Sequence, residues 1–268
     1  MQTLVVKYGG SVKEDFTFLL EEISCYVREG VHVVIVHGGG PEVTHWLTRL
    51  GHVTEFAQGQ RVTDEFTLQV VEMVLSGRVG KRIVRQLQKF GTAAVSISGQ
   101  DAGMVQASSY SNGILGYVGQ VVEVNTTLVQ DLLSAHYVPV IAPLGLDEAG
   151  QLYNINADFV AASIAGALRA DAFILATDVP GVRESAHSPH TLSQLTETEA
   201  LAMIANGQAV GGMIPKLQAV VHAVQNGAKA AYVVDGRMAD VLHGVMEGCS
   251  VGTRIIPVGV TEGGVHHA

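Results

Sequence analysis

Cysteine is scarce in this chain of 268 residues, which contains only Cys25 and Cys249. Neither has neighbours at metal-ligand spacing, and two cysteines do not amount to a disulfide framework. We therefore expect both to be small fillers of the core, in a protein that works in the reducing cytoplasm.

Long apolar runs and an excess of positive charge are also missing. No stretch is long enough to span a bilayer, and the first residues lack the basic start and apolar run of a signal peptide. The formal net charge is −9, whereas proteins that bind nucleic acid usually present a basic face. The sequence thus predicts a protein that neither spans a membrane nor binds nucleic acid. With only 16 Lys and Arg residues, an anionic substrate must be met by a local cluster of them.

Two common nucleotide-binding motifs are absent as well. The chain has neither G-x-x-x-x-G-K-[ST] nor the dinucleotide pattern G-x-G-x-x-G, which disfavours a P-loop protein and a Rossmann dehydrogenase. Its 11 histidines are scattered without ligand spacing, so we predict no metal site built from side chains.

What the sequence does contain is a regular alternation of strand-like and helix-like segments. The strand-like segments are rich in Val and Ile and cover Leu4–Tyr8, Val31–His37, Ala93–Ser98, Val138–Ala142, Ala172–Ala176 and Ala230–Val234. The helix-like segments are Phe16–Arg28, Pro41–Leu50, Glu65–Phe90, Thr127–Ala135, Asp158–Leu168 and Leu217–Asn226. This alternation predicts an α/β fold, in which right-handed βαβ units build a central, mostly parallel sheet covered by helices on both faces.

The chain also divides into two lobes. We predict an N-terminal lobe over residues 1–169, which includes a hairpin or excursion over residues 103–119, and a C-terminal lobe over residues 170–258. Residues 259–268 are predicted to form a disordered tail.

Two glycine-rich loops follow strand-like segments. Lys7-Tyr-Gly-Gly-Ser11 comes after the first, and His37-Gly-Gly-Gly-Pro41 comes after the second. Glycine backbone can approach a phosphate closely and point its N–H groups at the anion, and the N-terminus of a following helix adds partial positive charge. A turn without a ligand is the alternative for the first loop. The presence of Lys7 favours the anion-binding interpretation, because burying a lysine at the end of a central strand costs free energy unless its charge is paired.

Four later segments carry further candidates, each with a structural alternative. Asn154-Ile-Asn-Ala-Asp158 is either a polar cluster or an Asx-rich turn with Asp158 as a helix N-cap. Arg61-Val-Thr-Asp64 offers Thr63 or Asp64 as a cap, and Arg61 is either a surface residue or a fork for a carboxylate. Thr177-Asp178-Val-Pro-Gly181 has the residues of an ordinary turn, and it is either only a turn or part of a nucleotide-binding site. Lys216, after Gly211-Gly212-Met213, would alone be a solvated lysine at a helix terminus.

Taken in this order, these segments resemble the amino acid kinase family over nearly the whole chain. The glycine loops are widespread in that family, whereas Arg61–Asp64, Tyr153–Asp158 and Gly211–Leu217 are similar to its members that phosphorylate N-acetyl-L-glutamate. The resemblance implies the amino acid kinase fold, a three-layer αβα sandwich. It also implies that ATP, with Mg²⁺, phosphorylates the γ-carboxylate of N-acetyl-L-glutamate in arginine biosynthesis.

The resemblance further implies a role for each candidate residue. Lys7 and Lys216 would be catalytic groups on the transferring phosphoryl, with Asp158 holding the two ammonium groups in place. Phosphate oxygens would be bound at Gly9, Gly10, Ser11, Gly39 and Gly40. The acceptor would be bound by Gly39, Gly40, Arg61, Asn154 and Asn156. The nucleotide would lie near Thr177, Asp178, Gly181, Gly212 and Met213, with Mg²⁺ held mainly by the ATP phosphates.

Some positions depart from the family pattern. Gly80 stands where members commonly carry Asn, and Gln100 and Ala102 interrupt the usual Ser-Gly-Lys-Asp-Gly-Gly, although none of them is a proposed catalytic residue. Lys7 lies almost at the start of the chain, without the preceding helix that interlaces arginine-inhibited hexamers of the family. We therefore expect a homodimer with weak or absent arginine feedback, which light scattering can test.

Two other functions stay open. A related kinase acts on α-aminoadipate or glutamate linked to an acidic carrier protein, but it should present a basic surface, and this chain is acidic. A nucleotide sensor without catalytic activity is also possible on this fold, although the joint presence of Lys7, Asp158 and Lys216 favours an enzyme.

Overall fold

The computed structural model describes residues 2–9, 16–57, 59–185 and 188–259, without the side chains of residues 111 and 112. Gly10, Ser11 and positions 260–268 of the predicted tail lie outside the described residues.

The strands follow one another as the Val-rich and Ile-rich segments predict, with several short strands added. In chain order they are β1 (Thr3–Tyr8), β2 (His32–His37), β3 (Phe56–Ala57), β4 (Gln60–Arg61), β5 (Ala94–Ser98), β6 (Val105–Ser109), β7 (Val118–Val124), β8 (Val138–Ala142), β9 (Leu144–Leu146), β10 (Leu152–Ile155), β11 (Ala172–Thr177), β12 (Gln194–Thr196), β13 (Ala231–Asp235) and β14 (Thr253–Ile256).

Each predicted helical segment corresponds to helix in the structure, and two further helices, Glu197–Ala205 and Val241–Met246, were not predicted. They are α1 (Thr17–Arg28), α2 (Gly40–Arg49), α3 (Glu65–Glu72), α4 (Gly80–Lys89), α5 (Thr127–Ser134), α6 (Ala157–Ala167), α7 (Glu197–Ala205), α8 (Met213–Gln225) and α9 (Val241–Met246). A π-helical segment, Met73–Val79, joins α3 to α4, so the single long helix predicted over residues 65–90 is continuous but locally widened. None of the helices in the described residues has both the length and the apolar character that a bilayer span requires.

One eight-stranded sheet forms the middle layer, in the order β12-β14-β13-β11-β1-β2-β8-β5. All neighbours are parallel except the pair β13 and β14. Buried side chains of α5, α6, α7 and α8 pack on one face, and those of α1 to α4 and α9 pack on the other. The predicted three-layer α/β fold is confirmed.

A small closed barrel, β10-β7-β6-β9, stands beside the main sheet. Its antiparallel pair β6 and β7 is the hairpin predicted around residues 103–119. The barrel matters for function because β10 leads directly into the first turn of α6, where Asp158 lies.

The expectation that the cysteines fill the core is wrong, since Cys25 and Cys249 are both exposed. Cys25 lies on the outer side of α1, whose buried positions are Leu19, Leu20, Ile23 and Ser24. The start of α8 also differs from the prediction. The helix begins at Met213 rather than Leu217, and Pro215 falls in its first turn, where proline is tolerated.

Strands β1, β2 and β11 bring their carboxyl ends to the same edge of the sheet. Lys7 on β1 lies in register with Val36 on β2 and with Leu175 on β11. Both glycine loops and the Thr177 turn therefore leave the sheet together. Ligands of open parallel sheets bind at this edge.

Gly39 in the second loop packs directly against the π-helical segment. A Cβ atom at this position would lie 2.5 Å from Cδ2 of Leu75 and 3.2 Å from Cγ2 of Val79, whereas one at Gly40 would meet nothing closer than 3.9 Å. The close approach of the π-helical segment thus favours glycine at position 39, because a larger residue would displace the Leu75 side chain.

We predict that Gly39→Ala lowers the free energy of unfolding by about 1–3 kcal/mol, the usual cost of overpacking a buried site. Gly40→Ala is the matched control and should change it much less. Urea denaturation of both variants measures the difference, and equal unfolding midpoints would show that the loop does not pack against Leu75.

Candidate active site

Three charged side chains from three different elements meet at the edge of the sheet. Nζ of Lys7, on β1, lies 2.9 Å from Oδ1 of Asp158, in the first turn of α6. Nζ of Lys216, in α8, lies 3.4 Å from Oδ2 of the same carboxylate. The Asp158 side chain is only 10% exposed. One buried carboxylate therefore holds two ammonium groups side by side.

The charge state of Asp158 follows from competing effects. Burial by itself raises the pKa of this carboxyl, but the charges and hydrogen bonds of Lys7 and Lys216 outweigh burial and hold the pKa below its usual value. The group is therefore ionised at neutral pH, and the cluster carries a net positive charge in an acidic chain. Such a cluster attracts an anion.

Asp158 is free for this task because another residue caps the helix. Oδ1 of Asn156 accepts a hydrogen bond from the backbone N–H of Asp158 at 2.8 Å, which makes Asn156 the N-cap of α6. The alternative in which Asp158 is itself the cap is thereby excluded. Asn154, Asn156 and Asp158 nevertheless line one cavity, although the chain turns into the helix at Ala157.

The second glycine loop closes another side of the cavity. Gly38, Gly39 and Gly40 all line it, and Gly40 opens α2, whose first-turn N–H groups have no partner within the helix. The N–H of Gly39 has no hydrogen-bond partner among the described residues. The loop therefore offers backbone donors to an anion. Gly9 of the first loop follows β1 and is buried, but it is not among the residues that line the cavity.

Arg61 is the other cationic side chain, besides Lys7, among the described residues that line this cavity. The residue is 8% exposed, and its Nη2 atom donates to the Gly40 carbonyl at 2.9 Å and to Oγ1 of Thr44 at 2.8 Å. Its guanidinium carbon lies 4.8 Å from the centre of the Phe56 ring. Nη1 is buried and has no partner within the described part of the chain. A guanidinium with one edge fixed and the other unpaired can bind a carboxylate.

Asn154 is braced next to Arg61 by Thr63. The amide nitrogen of Asn154 donates to Oγ1 of Thr63 at 3.1 Å, and Thr63 donates in turn to the Arg61 carbonyl at 2.9 Å. The cap of α3 is Asp64, which accepts a hydrogen bond from the Thr67 N–H at 2.7 Å. Thr63 is fully buried, and its sequence context indicates only a helix cap. Its bracing role depends on contacts that the sequence does not reveal.

The cavity that these groups share has a volume of about 290 Å³. Lys7 and Asp158 lie among its lining residues together with Arg61 and Asn154, whereas Lys216 does not, so the Lys7–Asp158 pair and the Arg61 guanidinium open onto the same space. Among the described lining residues, Asp158 is the only carboxylate.

The residues predicted to bind the nucleotide differ in their burial and packing. Thr177 is buried at the end of β11, and its hydroxyl donates to Oδ1 of the exposed Asp178 at 3.1 Å. Gly212 has open space around it, just before Met213 begins α8. Gly181 packs against Thr253 and lines none of the larger cavities in the described structure.

Sequence reasoning missed the side chain that holds the second loop against the π-helical segment. The Glu42 carboxylate, 4% exposed, accepts from Nε of Arg78 at 2.6 Å and from Nη1 of Arg82 at 3.0 Å. Burial raises the pKa of Glu42, but the two arginines bring it below its usual value. The available signal was an acidic residue in the first turn of α2, with two arginines four positions apart on one helical face.

A second, larger cavity of about 530 Å³ adjoins the first and shares Gln60 and Asn156 with it. The described side chains that line it are uncharged, among them Phe159, His222 and Gln218. This lining does not suit a triphosphate. Elsewhere, the described residues contain no group of three or more His, Cys, Asp or Glu side chains arranged to hold a metal ion.

Comparison with known proteins decides the family. A family model described as "Amino acid kinase family" matches residues 2–235. The chain belongs to the amino acid kinase family. An acetylglutamate kinase from Caldanaerobacter subterraneus subsp. tengcongensis is 43% identical over 242 residues, which cover 88% of this chain and 81% of the relative. Another acetylglutamate kinase, from Synechococcus sp. (strain WH7803), is 43% identical over 258 residues, which cover 94% of this chain and 88% of the relative.

A solved structure shares the fold of this amino acid kinase. The crystal structure of smu.665 from Streptococcus mutans UA159 superposes with a TM-score of 0.78 at 27% identity, covering 95% of this chain and 98% of that one. The family and the enzyme class predicted from the motifs, a phosphotransferase, are confirmed. The role of each site residue stays a prediction.

His37, the last residue of β2, makes the stability of this kinase depend on pH. The ring is completely buried, and burial, with Arg82 nearby, lowers its pKa from 6.5 to about 4, although a hydrogen bond to Gly38 acts in the opposite direction. Between these pKa values the unfolded chain binds a proton that the folded chain does not, so stability falls as the pH falls.

We predict that the wild type loses about 1 kcal/mol more unfolding free energy than His37→Asn when the pH drops from 7.5 to 5.5, because the variant lacks the titrating ring. Urea unfolding of both proteins at the two pH values measures this difference. Parallel losses would mean that His37 takes up a proton in the folded state.

Proposed function

We propose that the protein transfers the γ-phosphoryl group of ATP to the γ-carboxylate of N-acetyl-L-glutamate, the phosphorylation step of arginine biosynthesis in the acetylated route. The single observation that carries this proposal is that one cavity is lined by the Lys7–Asp158 ion pair, by the second glycine loop and by the buried Arg61 guanidinium, whose Nη1 atom is unpaired. The acetylglutamate kinases that are 43% identical to this chain support it.

Arg61 and Asn154 bind the α-carboxylate and acetamido side of the acceptor. The unpaired edge of the buried guanidinium suits a carboxylate, and the fixed edge sets its orientation. Asn156 faces the same cavity, with its side-chain oxygen used to cap α6. The acceptor is thereby oriented with its γ-carboxylate toward Lys7.

Phosphoryl transfer needs no general base here, because the attacking carboxylate is already ionised at neutral pH. One carboxylate oxygen forms a bond to the γ-phosphorus, the bond from that phosphorus to the β,γ-bridging oxygen breaks, and ADP leaves with the electron pair. The product is an acyl phosphate. The barrier lies in bringing two anions together in line, which positive groups and backbone donors lower.

Each part of the site supplies one of those effects. Lys7 and Lys216 neutralise charge on the transferring group, and Asp158 keeps their ammonium groups together. Gly39 and Gly40 offer backbone N–H groups from the second loop. Gly9, Gly10 and Ser11 are assigned the same task in the first loop on their sequence alone.

The nucleotide binds beside Lys216, near Thr177, Asp178, Gly212 and Met213. Gly181 supports this region by letting the turn pack on Thr253. Both oxygens of Asp158 face ammonium groups, so the cavity leaves no described carboxylate free for a metal. Mg²⁺, which neutralises phosphate charge in such reactions, would therefore be held mainly by the ATP phosphates.

The predicted division into lobes gives these tasks to different parts of the chain. Residues 1–169 contain the acceptor-binding groups, and residues 170–258 contain Lys216 and the proposed nucleotide site. The main sheet runs across the boundary, since β11 pairs with β1. The two lobes thus share one rigid layer beneath the site.

The direct test of this function is ADP release with a panel of acceptors. We expect turnover with N-acetylglutamate and none of comparable efficiency with glutamate, aspartate, carbamate or UMP, because Arg61 and Asn154 match the acylated amino acid. Hydroxylamine trapping of the product identifies the acyl phosphate. Preference for another acceptor, or ADP release that does not depend on any of them, would overturn the assignment.

We also predict that Lys7→Ala and Lys216→Ala each lower kcat by roughly 10² to 10³, the usual cost of losing a donor to transition-state charge, while ATP binding weakens far less. Lys229→Ala is the matched control, since its ammonium group pairs with Asp171 at 2.7 Å on the exposed surface. Steady-state kinetics of the three variants decide the matter. A near-normal kcat in both active-site variants would contradict the assigned roles.

A further inference from the structure

The imidazole of His37 is fixed to the glycine loop by one hydrogen bond. Its Nδ1 atom lies 2.8 Å from the carbonyl oxygen of Gly38, and the side chain is completely buried. A carbonyl oxygen can only accept, so Nδ1 carries the proton and Nε2 does not. Nε2 has no partner among the described residues.

Every carbonyl of the triple glycine is held by a different group. The Gly38 carbonyl accepts from His37, the Gly39 carbonyl accepts from the Val43 N–H at 3.0 Å, and the Gly40 carbonyl accepts from Arg61 at 2.9 Å. The Gly38 N–H is also bound, to the Tyr8 carbonyl at 3.1 Å. The N–H of Gly39 is left over, in a residue that lines the cavity.

The direction of that N–H follows from the peptide plane. In a trans peptide the C=O of one residue and the N–H of the next point in opposite directions. Because the Gly38 carbonyl faces the buried ring, the Gly39 N–H points away from the ring. Consecutive glycines have no side chains to restrict their backbone, so this orientation needs an external restraint.

The far edge of the ring is enclosed as well. Gly80, the first residue of α4, approaches so closely that a Cβ atom there would lie 3.1 Å from Nε2 of His37 and would collide with Oγ of Ser96 on β5. Glycine at position 80 and serine at position 96 therefore fit together around the imidazole.

We propose that His37 is a positioning residue for phosphoryl transfer: its imidazole fixes the Gly38–Gly39 peptide so that the Gly39 N–H meets an oxygen of the transferring phosphoryl group. The proposal rests on the function proposed above. It assigns no proton transfer to His37, which acts only through the loop.

Two substitutions separate the hydrogen bond from the packing. Asn places its amide nitrogen near the position of Nδ1 and keeps the donor, whereas Leu has a similar size and no donor. We expect His37→Leu to lower kcat by about 10- to 100-fold, part of the effect of removing one such donor altogether, with KM for ATP and for N-acetylglutamate within about threefold of the wild type. His37→Asn should keep kcat within about fivefold.

Ser96→Ala is the control for the opposite edge of the ring and should leave kcat unchanged. A second readout is the binding of ADP with aluminium fluoride and N-acetylglutamate, which mimics the transferring group. His37→Leu should weaken this ternary complex by a factor similar to its loss in kcat, and binding of ADP alone should stay the same.

Equal kcat values for His37→Asn and His37→Leu would overturn the proposal, as would a loss confined to KM. If His37→Leu does not fold, His37→Gln replaces it, because its amide nitrogen lies near the position of Nε2. A His37→Gln enzyme as active as His37→Asn would also refute the proposal. ADP release by the wild type with N-acetylglutamate tests the proposed function by itself, so the two failures are distinguishable.

Discussion

The site depends on one buried carboxylate that holds two lysines together. Two ammonium groups on separate elements repel each other, and each loses hydration at the edge of a sheet. Asp158 offsets both costs, because each of its oxygens faces one ammonium group. The resulting cluster keeps a net positive charge, which is the condition for attracting a phosphate in a chain of net charge −9. Losing the carboxylate would leave two like charges with no counterion between them.

Much of the surrounding structure serves to keep that cluster in place. Because Asn156 caps α6, the Asp158 side chain is free to bind the lysines. The register of the parallel strands fixes the position of Lys7 relative to β2 and β11. The second glycine loop is held by hydrogen bonds from His37 to the Gly38 carbonyl and from Arg61 to the Gly40 carbonyl. The positive charges and the backbone donors are therefore preorganised, which is how a protein lowers a barrier that is mainly electrostatic.

The layers of the fold were predictable from the sequence because the strands of a covered parallel sheet are continuous Val and Ile runs. The meeting of Lys7 with Lys216 could be predicted only through the family resemblance, since no local pattern joins residues so far apart. The small barrel escaped prediction because short strands such as β9 depend on their neighbours rather than on their own pattern. The exposure of Cys25 was missed for a related reason, as it depends on which face of α1 the sheet covers.

Other features of the site lie beyond sequence reasoning altogether. The tautomer of His37 follows from a distance to one carbonyl oxygen, and the availability of Arg61 follows from which of its nitrogens is already bonded. The close packing of Gly39 against Leu75 and Val79 of the π-helical segment is visible only in the folded chain. These are properties of contacts, so they appear only once the chain is folded.

The most direct test of the central claim is the single-turnover rate of phosphoryl transfer in Asp158→Asn, measured together with its thermal unfolding. The substitution keeps the shape of the side chain and removes the charge that holds Lys7 and Lys216. The account predicts a rate lower by roughly 10² or more with the fold retained. A near-normal rate in a folded variant would contradict it.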